Sequence, residues 1–105
     1  MEQNFSLQQL CDRASVIAYE LIPLRRQIHQ HPELAYQEKR TTALVQKKLE
    51  EMEAELIETD LPVGVIGVNH GTAAGPQAVT AFRADLDALP IQEQTGWNTR
   101  LRTPE

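Results

Sequence analysis

One cysteine, no long apolar run and no excess of basic side chains set the first limits on this chain of 105 residues. A single thiol, Cys11, excludes an internal disulfide and fits a reducing cytoplasm. Its neighbours are apolar at helical spacing, so Cys11 reads as a small core residue rather than a reactive thiol. No apolar stretch approaches the ~20 residues needed to cross a bilayer. The start, Met-Glu-Gln-Asn, has neither the basic nor the apolar region of a secretory signal. A cytoplasmic protein is therefore expected. The formal net charge of −5 argues against nucleic acid or an anionic membrane as partner, since both need clustered Lys and Arg.

Familiar catalytic motifs are missing too. The chain has no Gly-x-Ser-x-Gly elbow, phosphate-binding glycine loop, Cys-x-x-Cys or His-Glu-x-x-His. It shows no internal repeat and no low-complexity tract. Apolar content of 41% and charged content of 24% are those of an ordinary soluble globular protein. At this length one domain is the limit, with a thin margin for a core. The acidic residues concentrate in Glu50, Glu51, Glu53, Glu55, Glu58 and Asp60, beside Lys47 and Lys48. That run reads as a solvated helix end.

Two helices and three strands are predicted. Ser6 followed by Gln9 forms a capping box, with Phe5 and Leu10 at the positions of a hydrophobic staple. Leu7, Leu10, Cys11, Ala14, Ile17, Ala18, Leu21, Leu24 and Ile28 then repeat as one buried face. Pro23 should kink or split this helix, and Pro32 ends it near Gln30 by excluding His31 from the α region. A second helix is expected over 38–52, burying Val45, Leu49 and Met52 with Leu44 at the edge. Strands are expected over 54–59, 63–69 and 77–85. The last is nearly all apolar until Arg83, as in a strand covered on both faces. The loop 70–76 should join the last two strands as a hairpin or short crossover.

The third strand ends in Ala81-Phe82-Arg83-Ala84-Asp85-Leu86-Asp87-Ala88-Leu89-Pro90-Ile91, which brings two carboxylates to its tip. In extended backbone Asp85 and Asp87 share a face, about 6.5–7 Å apart at Cβ. The C-terminal edge of an α/β sheet is where ligand and metal sites collect, and carboxylates there bind an ion or orient a histidine ligand. The alternative is structural: Asp87 caps the Ala88-Leu89-Pro90 turn. His29 and His31 look like a metal pair, but helical residues two apart point roughly 200° from each other. A helix-end role suits them better. His70 lies in a turn beside Gly71. Arg25 and Arg26 have Glu33 or Glu38 within reach as structural partners.

Two segments say more together. Leu24-Arg25-Arg26-Gln27-Ile28-His29-Gln30-His31-Pro32-Glu33-Leu34-Ala35-Tyr36-Gln37-Glu38, followed by Arg40-Thr41-Thr42, resembles the N-terminal signature of a metallopeptidase family. That family holds the N-acyl-amino-acid amidohydrolases, hippurate hydrolase and the auxin-conjugate hydrolases. Phe82-Arg83-Ala84-Asp85-Leu86-Asp87-Ala88-Leu89-Pro90-Ile91-Gln92-Glu93 resembles the family's second signature, in the same order and at a matching separation of about fifty residues. The likeness runs from about Tyr19 onward and corresponds to roughly the first quarter of a typical member.

The resemblance implies a catalytic domain with a mixed sheet and two metal ions, zinc or manganese. It also implies hydrolysis of an N-acyl or amide bond by metal-activated water, and a homo-oligomeric parent acting on N-acyl-amino acids or peptides. Asp87 matches an aspartate beside the metal centre that helps orient it. Asp85 stands where other branches place a metal-binding histidine and is not expected to ligate. His29 and His31 belong to a motif on the active-site side. The family's Cys-Gly-His-Asp ligand segment follows the stretch matching Trp97-Asn98-Thr99-Arg100-Leu101-Arg102-Thr103-Pro104, so no metal ligand is expected in this chain and no metal bound by it. The resulting expectation is an α/β piece: two N-terminal helices and three strands from a zinc-peptidase-like catalytic domain with a mixed sheet. Residues 1–105 form an incomplete N-terminal portion, inactive alone, with 1–5 and 95–105 loosely ordered. The alternative is a non-catalytic remnant that serves as a binding or interaction module.

Overall fold

The first helix begins where its side chains close a capping box. Ser6 Oγ accepts the Gln9 N–H at 3.2 Å, and Gln9 Oε1 accepts the Ser6 N–H at 2.8 Å. Two orphan donors of the first turn are satisfied reciprocally. The computed structural model describes residues 5–91, and there this helix, α1, spans Leu7–Gln30. It runs unbroken through Pro23. The expected split does not occur: the proline forgoes one backbone bond, to the Tyr19 carbonyl, and the helix continues past it. His31 caps the C-terminus, its N–H reaching Ile28 O at 3.2 Å, as Pro32 requires.

The face drawn by the apolar repeat of α1 is not enclosed. No residue of the helix is buried, Leu7, Leu10, Ile17 and Leu21 are exposed, and Cys11, expected in a core, is exposed as well. Periodicity names the face that can be covered; it does not supply the covering element. Phe5 carries the Arg13 guanidinium 4.3 Å from its ring centroid, a cation–π contact. No helix among the described residues is long and apolar enough to cross a membrane.

The chain divides into two units, and α1 belongs to the first. The second, Pro32–Ile91, contains the rest of the described structure. Its helix, α2, spans Lys39–Glu51. It ends in a Schellman arrangement, with Ala54 N–H on Leu49 O and Glu53 N–H on Glu50 O, both at 3.0 Å. Glu53 holds the left-handed position, at φ 60°, where glycine would sit without strain. Leu44, Val45 and Leu49 are half-buried, but Met52, expected in the same stripe, is exposed because it falls at the cap.

Strands β1 (Glu55–Ile57) and β2 (Ile66–Val68) pair antiparallel, with Glu55 opposite Val68, Leu56 opposite Gly67 and Ile57 opposite Ile66. The hairpin therefore joins the first two expected strands, not the last two. Gly67 is where α2 rests on it: a Cβ there would lie 2.9 Å from Leu49 Cδ1. The second strand is shorter than expected because Gly64 turns the chain at φ +97°. The third expected strand, 77–85, does not form. Val79 and Phe82 are 98% and 96% exposed, and no described strand pairs with it. Strand character is conferred by a ladder neighbour, and apolar composition alone cannot provide one. The result is two helices and a two-stranded sheet, a small mixed α/β piece. Val63 is its one buried apolar side chain among the described residues. The expectations for residues 1–4 and for 92–105, Trp97 included, lie outside the described residues.

Candidate functional site

The loop between His31 and α2 is organised by two carboxylates. Glu33 reaches eight residues ahead to the start of α2. Its Oε1 accepts the Thr41 N–H and the Thr41 hydroxyl, each at 2.6 Å, and its Oε2 accepts the Arg40 N–H at 2.9 Å. Arg40 and Thr41 hold the two helical positions whose N–H groups a helix-capping side chain normally takes. Glu38, the residue at the cap itself, makes no such bond. An anion at a helix N-terminus also meets the positive end of the helix dipole. Burial raises the Glu33 pKa, but the Thr41 hydroxyl, the two backbone N–H groups and the Arg40 charge outweigh it. The carboxyl sits below its ordinary value. Glu33 is thus committed to α2.

Glu38 is 7% exposed and Thr41 4%. Glu38 Oε1 accepts the Tyr36 N–H at 2.8 Å, which holds Tyr36 at φ 66°, a conformation costly for a bulky side chain. One residue into the helix from Thr41, Thr42 Oγ1 accepts the Gly64 N–H at 2.9 Å and brings the 61–64 loop onto the helix start. Ala35, Tyr36, Glu38, Leu61, Pro62 and Val63 then line a cavity of about 230 Å³, and the seventh lining residue is Asp87.

The backbone of Glu33 explains how Asp87 arrives there. Its carbonyl accepts the Ala88 N–H at 2.7 Å across 55 positions of sequence. That bond ties the two signature segments together and sets Asp87 against the cavity. Asp85 is placed differently: its Oδ1 pairs with Arg83 Nη2 at 2.8 Å, both side chains being exposed. The two aspartates therefore do separate things. The turn that follows closes with Ile91 N–H on Leu89 O at 2.8 Å. His29 lies in the last turn of α1 and His31 is its cap residue. His70, unremarkable in the sequence, meets Glu55 Oε2 at 2.6 Å across the hairpin. Among the described residues no group of three or more His, Cys, Asp and Glu side chains could hold a metal ion.

Glu33 and Glu38 were visible in the sequence as possible partners of arginines and as members of the first signature, with no role assigned. Their capping and loop-holding roles depend on contacts that no local pattern signals. A glutamate eight residues ahead of Thr41-Thr42, with no Ser, Thr, Asp or Asn at the cap, is the one available hint.

Comparison with known proteins gives consistent relatives. The chain is 50% identical to the N-acetylcysteine deacetylase of Bacillus subtilis (strain 168) over 76 residues, 71% of this chain and 20% of that protein. It is 39% identical to IAA-amino acid hydrolase ILR1-like 5 of Arabidopsis thaliana over 84 residues, 80% of this chain and 19% of that protein. It is 42% identical to the N-acetyldiaminopimelate deacetylase of Limosilactobacillus fermentum over 81 residues, 73% of this chain and 21% of that protein. The chain spans about a fifth of the length of the curated relatives it matches. No family model matches the chain, and no solved structure matches it significantly.

Proposed function

We propose that this chain, which belongs by sequence to the amidohydrolase family holding those deacetylases and IAA-amino acid hydrolases, contributes the N-terminal portion of a catalytic domain that hydrolyses N-acyl-amino acids or related amides. A divalent ion, zinc or manganese, supplies activated water in such a reaction. The described residues do not fit an ion-holding role. Glu38 and Asp87 are only two donors on the cavity wall, and one oxygen of Glu38 already accepts the Tyr36 N–H. They suit a supporting role instead. Asp87 acts as a positioning carboxylate, since an anion beside a ligand orients it and raises its basicity. Asp85 is paired with Arg83 and is assigned no chemical step, while His29 and His31 stay assigned to the motif on the active-site side, with no step given to them. These residues alone do not turn over substrate.

One observation carries the reading: the Glu33–Ala88 backbone bond, which joins the two signatures and puts Asp87 on the cavity wall. The 105-residue chain with added zinc or manganese should not hydrolyse N-acetylcysteine or N-benzoyl amino acids. Metal-dependent turnover that Asp87→Asn abolishes would show a complete site and overturn the supporting role. Grafted in place of the matched fifth of the B. subtilis deacetylase, the same residues should sustain deacetylation.

A further inference from the structure

The apolar residues of α1 keep a stricter period than one covered face requires. Leu7, Ala14 and Leu21 recur every seven residues, and Leu10, Ile17 and Leu24 each stand three positions further on. That is the a and d pattern of a coiled-coil seam, held over three heptads. On one flank Arg13 and Glu20 both fall at g, and on the other Cys11 and Ala18, both small, fall at e. Pro23 falls at c, on the outer side, so the backbone bond it forgoes leaves the seam unbroken. No residue of α1 is buried; Leu7, Leu10, Ile17 and Leu21 are exposed and Leu24 is half-buried. The Arg13 guanidinium stands over the Phe5 ring at 4.3 Å, and a guanidinium on an aromatic face keeps its N–H edge for a carboxylate. Glu20 forms no ion pair with any described residue.

We infer that α1 is a self-association surface that pairs antiparallel with α1 of a second copy of this chain, a contact independent of the function proposed above. In that pairing Leu7 faces Leu24 of the second copy, Leu10 faces Leu21 and Ala14 faces Ile17, so every layer is filled from both helices. Arg13 comes opposite Glu20 of the second copy, and the two-fold axis repeats the pair. Cys11 and Ala18 meet on the other flank, where small side chains let the helices approach. Seam and charges thus complement themselves, which is the requirement of a two-fold interface and points to a second copy as the occupant. The parallel alternative stacks Ala14 on Ala14 in mid-seam and leaves a gap there. A lipid surface fits less well, since the chain carries net charge −5.

Sedimentation equilibrium of the 105-residue chain is the test. A dimer is expected, and Ile17→Lys should weaken it roughly tenfold or more, since each dimer would then bury two unpaired charges. Val16→Lys should leave it unchanged, because Val16 is also apolar and exposed but lies on the outer side of the helix. Glu20→Arg should weaken the dimer about threefold, and adding Arg13→Glu should restore it by reversing the pair. A monomer at every concentration would overturn the inference. So would equal loss with Val16→Lys, which marks unspecific association, or rescue of Glu20→Arg by Arg25→Glu, which marks a parallel pair. A chain that stays monomeric while Ile17→Lys unfolds the deacetylase graft would give the seam to the rest of the domain and likewise overturn it. A dimer with the expected pattern would stand whether or not the graft deacetylates, so the two proposals fail separately.

Discussion

Replacing Glu33 by glutamine should loosen the start of α2 unevenly. The amide keeps one carbonyl oxygen, which can still accept from Thr41, but it replaces Oε2 with a donor facing the Arg40 N–H. Loss of a helix-capping acceptor costs about 0.5–2 kcal/mol, and hydrogen bonds to an ionised group lie at about 1.5–3 kcal/mol. Discounted for the partial exposure of Glu33, a net loss of about 1–2 kcal/mol is expected at the helix start. Amide hydrogen exchange at neutral pH is the assay, because it reads local opening residue by residue. That free energy corresponds to roughly 5–30-fold faster exchange at Arg40, with a smaller change at Thr41. Ala88 is bonded to the Glu33 backbone and should change least.

The pH dependence follows from the direction of the Glu33 shift. Its folded pKa lies below the unfolded value, so the carboxylate's contribution is whole above the unfolded pKa of ~4.3. It is lost as pH falls through the lower folded value. Protection at Arg40 and Thr41, corrected for intrinsic exchange, should therefore drop below about pH 4 in the natural chain and not in the glutamine variant. Equal exchange in the two chains at neutral pH, with no acid-dependent difference, would refute the capping role.

Three further outcomes are expected. Glu53→Gly should protect the last turn of α2 by about 1 kcal/mol in exchange measurements, since it relieves a left-handed non-glycine residue. Asp85→Asn should change stability by less than about 1 kcal/mol, because its partner Arg83 is exposed; a larger loss on denaturant titration would mean that the pair is structural. Calorimetry of the chain alone should show a broad transition of low enthalpy, given one buried apolar side chain among the described residues; a monomer with a sharp cooperative melt would contradict that.

Local chemistry was legible in the sequence. The Ser6–Gln9 box and the end of α1 before Pro32 depend on residues a few positions apart, and α2 follows from the spacing of its own apolar residues; each appears where expected. The features that failed depend on partners distant in the chain. The apolar run 77–85 has strand composition, but a strand also needs a ladder neighbour, and no described residue provides one. Cys11 and the α1 stripe have helical spacing, which cannot reveal whether anything covers them. At the candidate site, Asp87 was singled out through its motif. Glu33 was not, because its bonds to Thr41 and Ala88 span 8 and 55 positions. The Glu55–His70 contact needed the β1–β2 register before it could be seen.

In the proposed function, Glu33 and Ala88 hold Asp87 where a carboxylate supports a metal centre built by the rest of the domain. The most direct test is the kcat of the deacetylase graft with and without Asp87→Asn, measured on N-acetylcysteine at saturating metal. A supporting carboxylate predicts a loss of about 10–100-fold with the graft still folded. An unchanged kcat would contradict the claim.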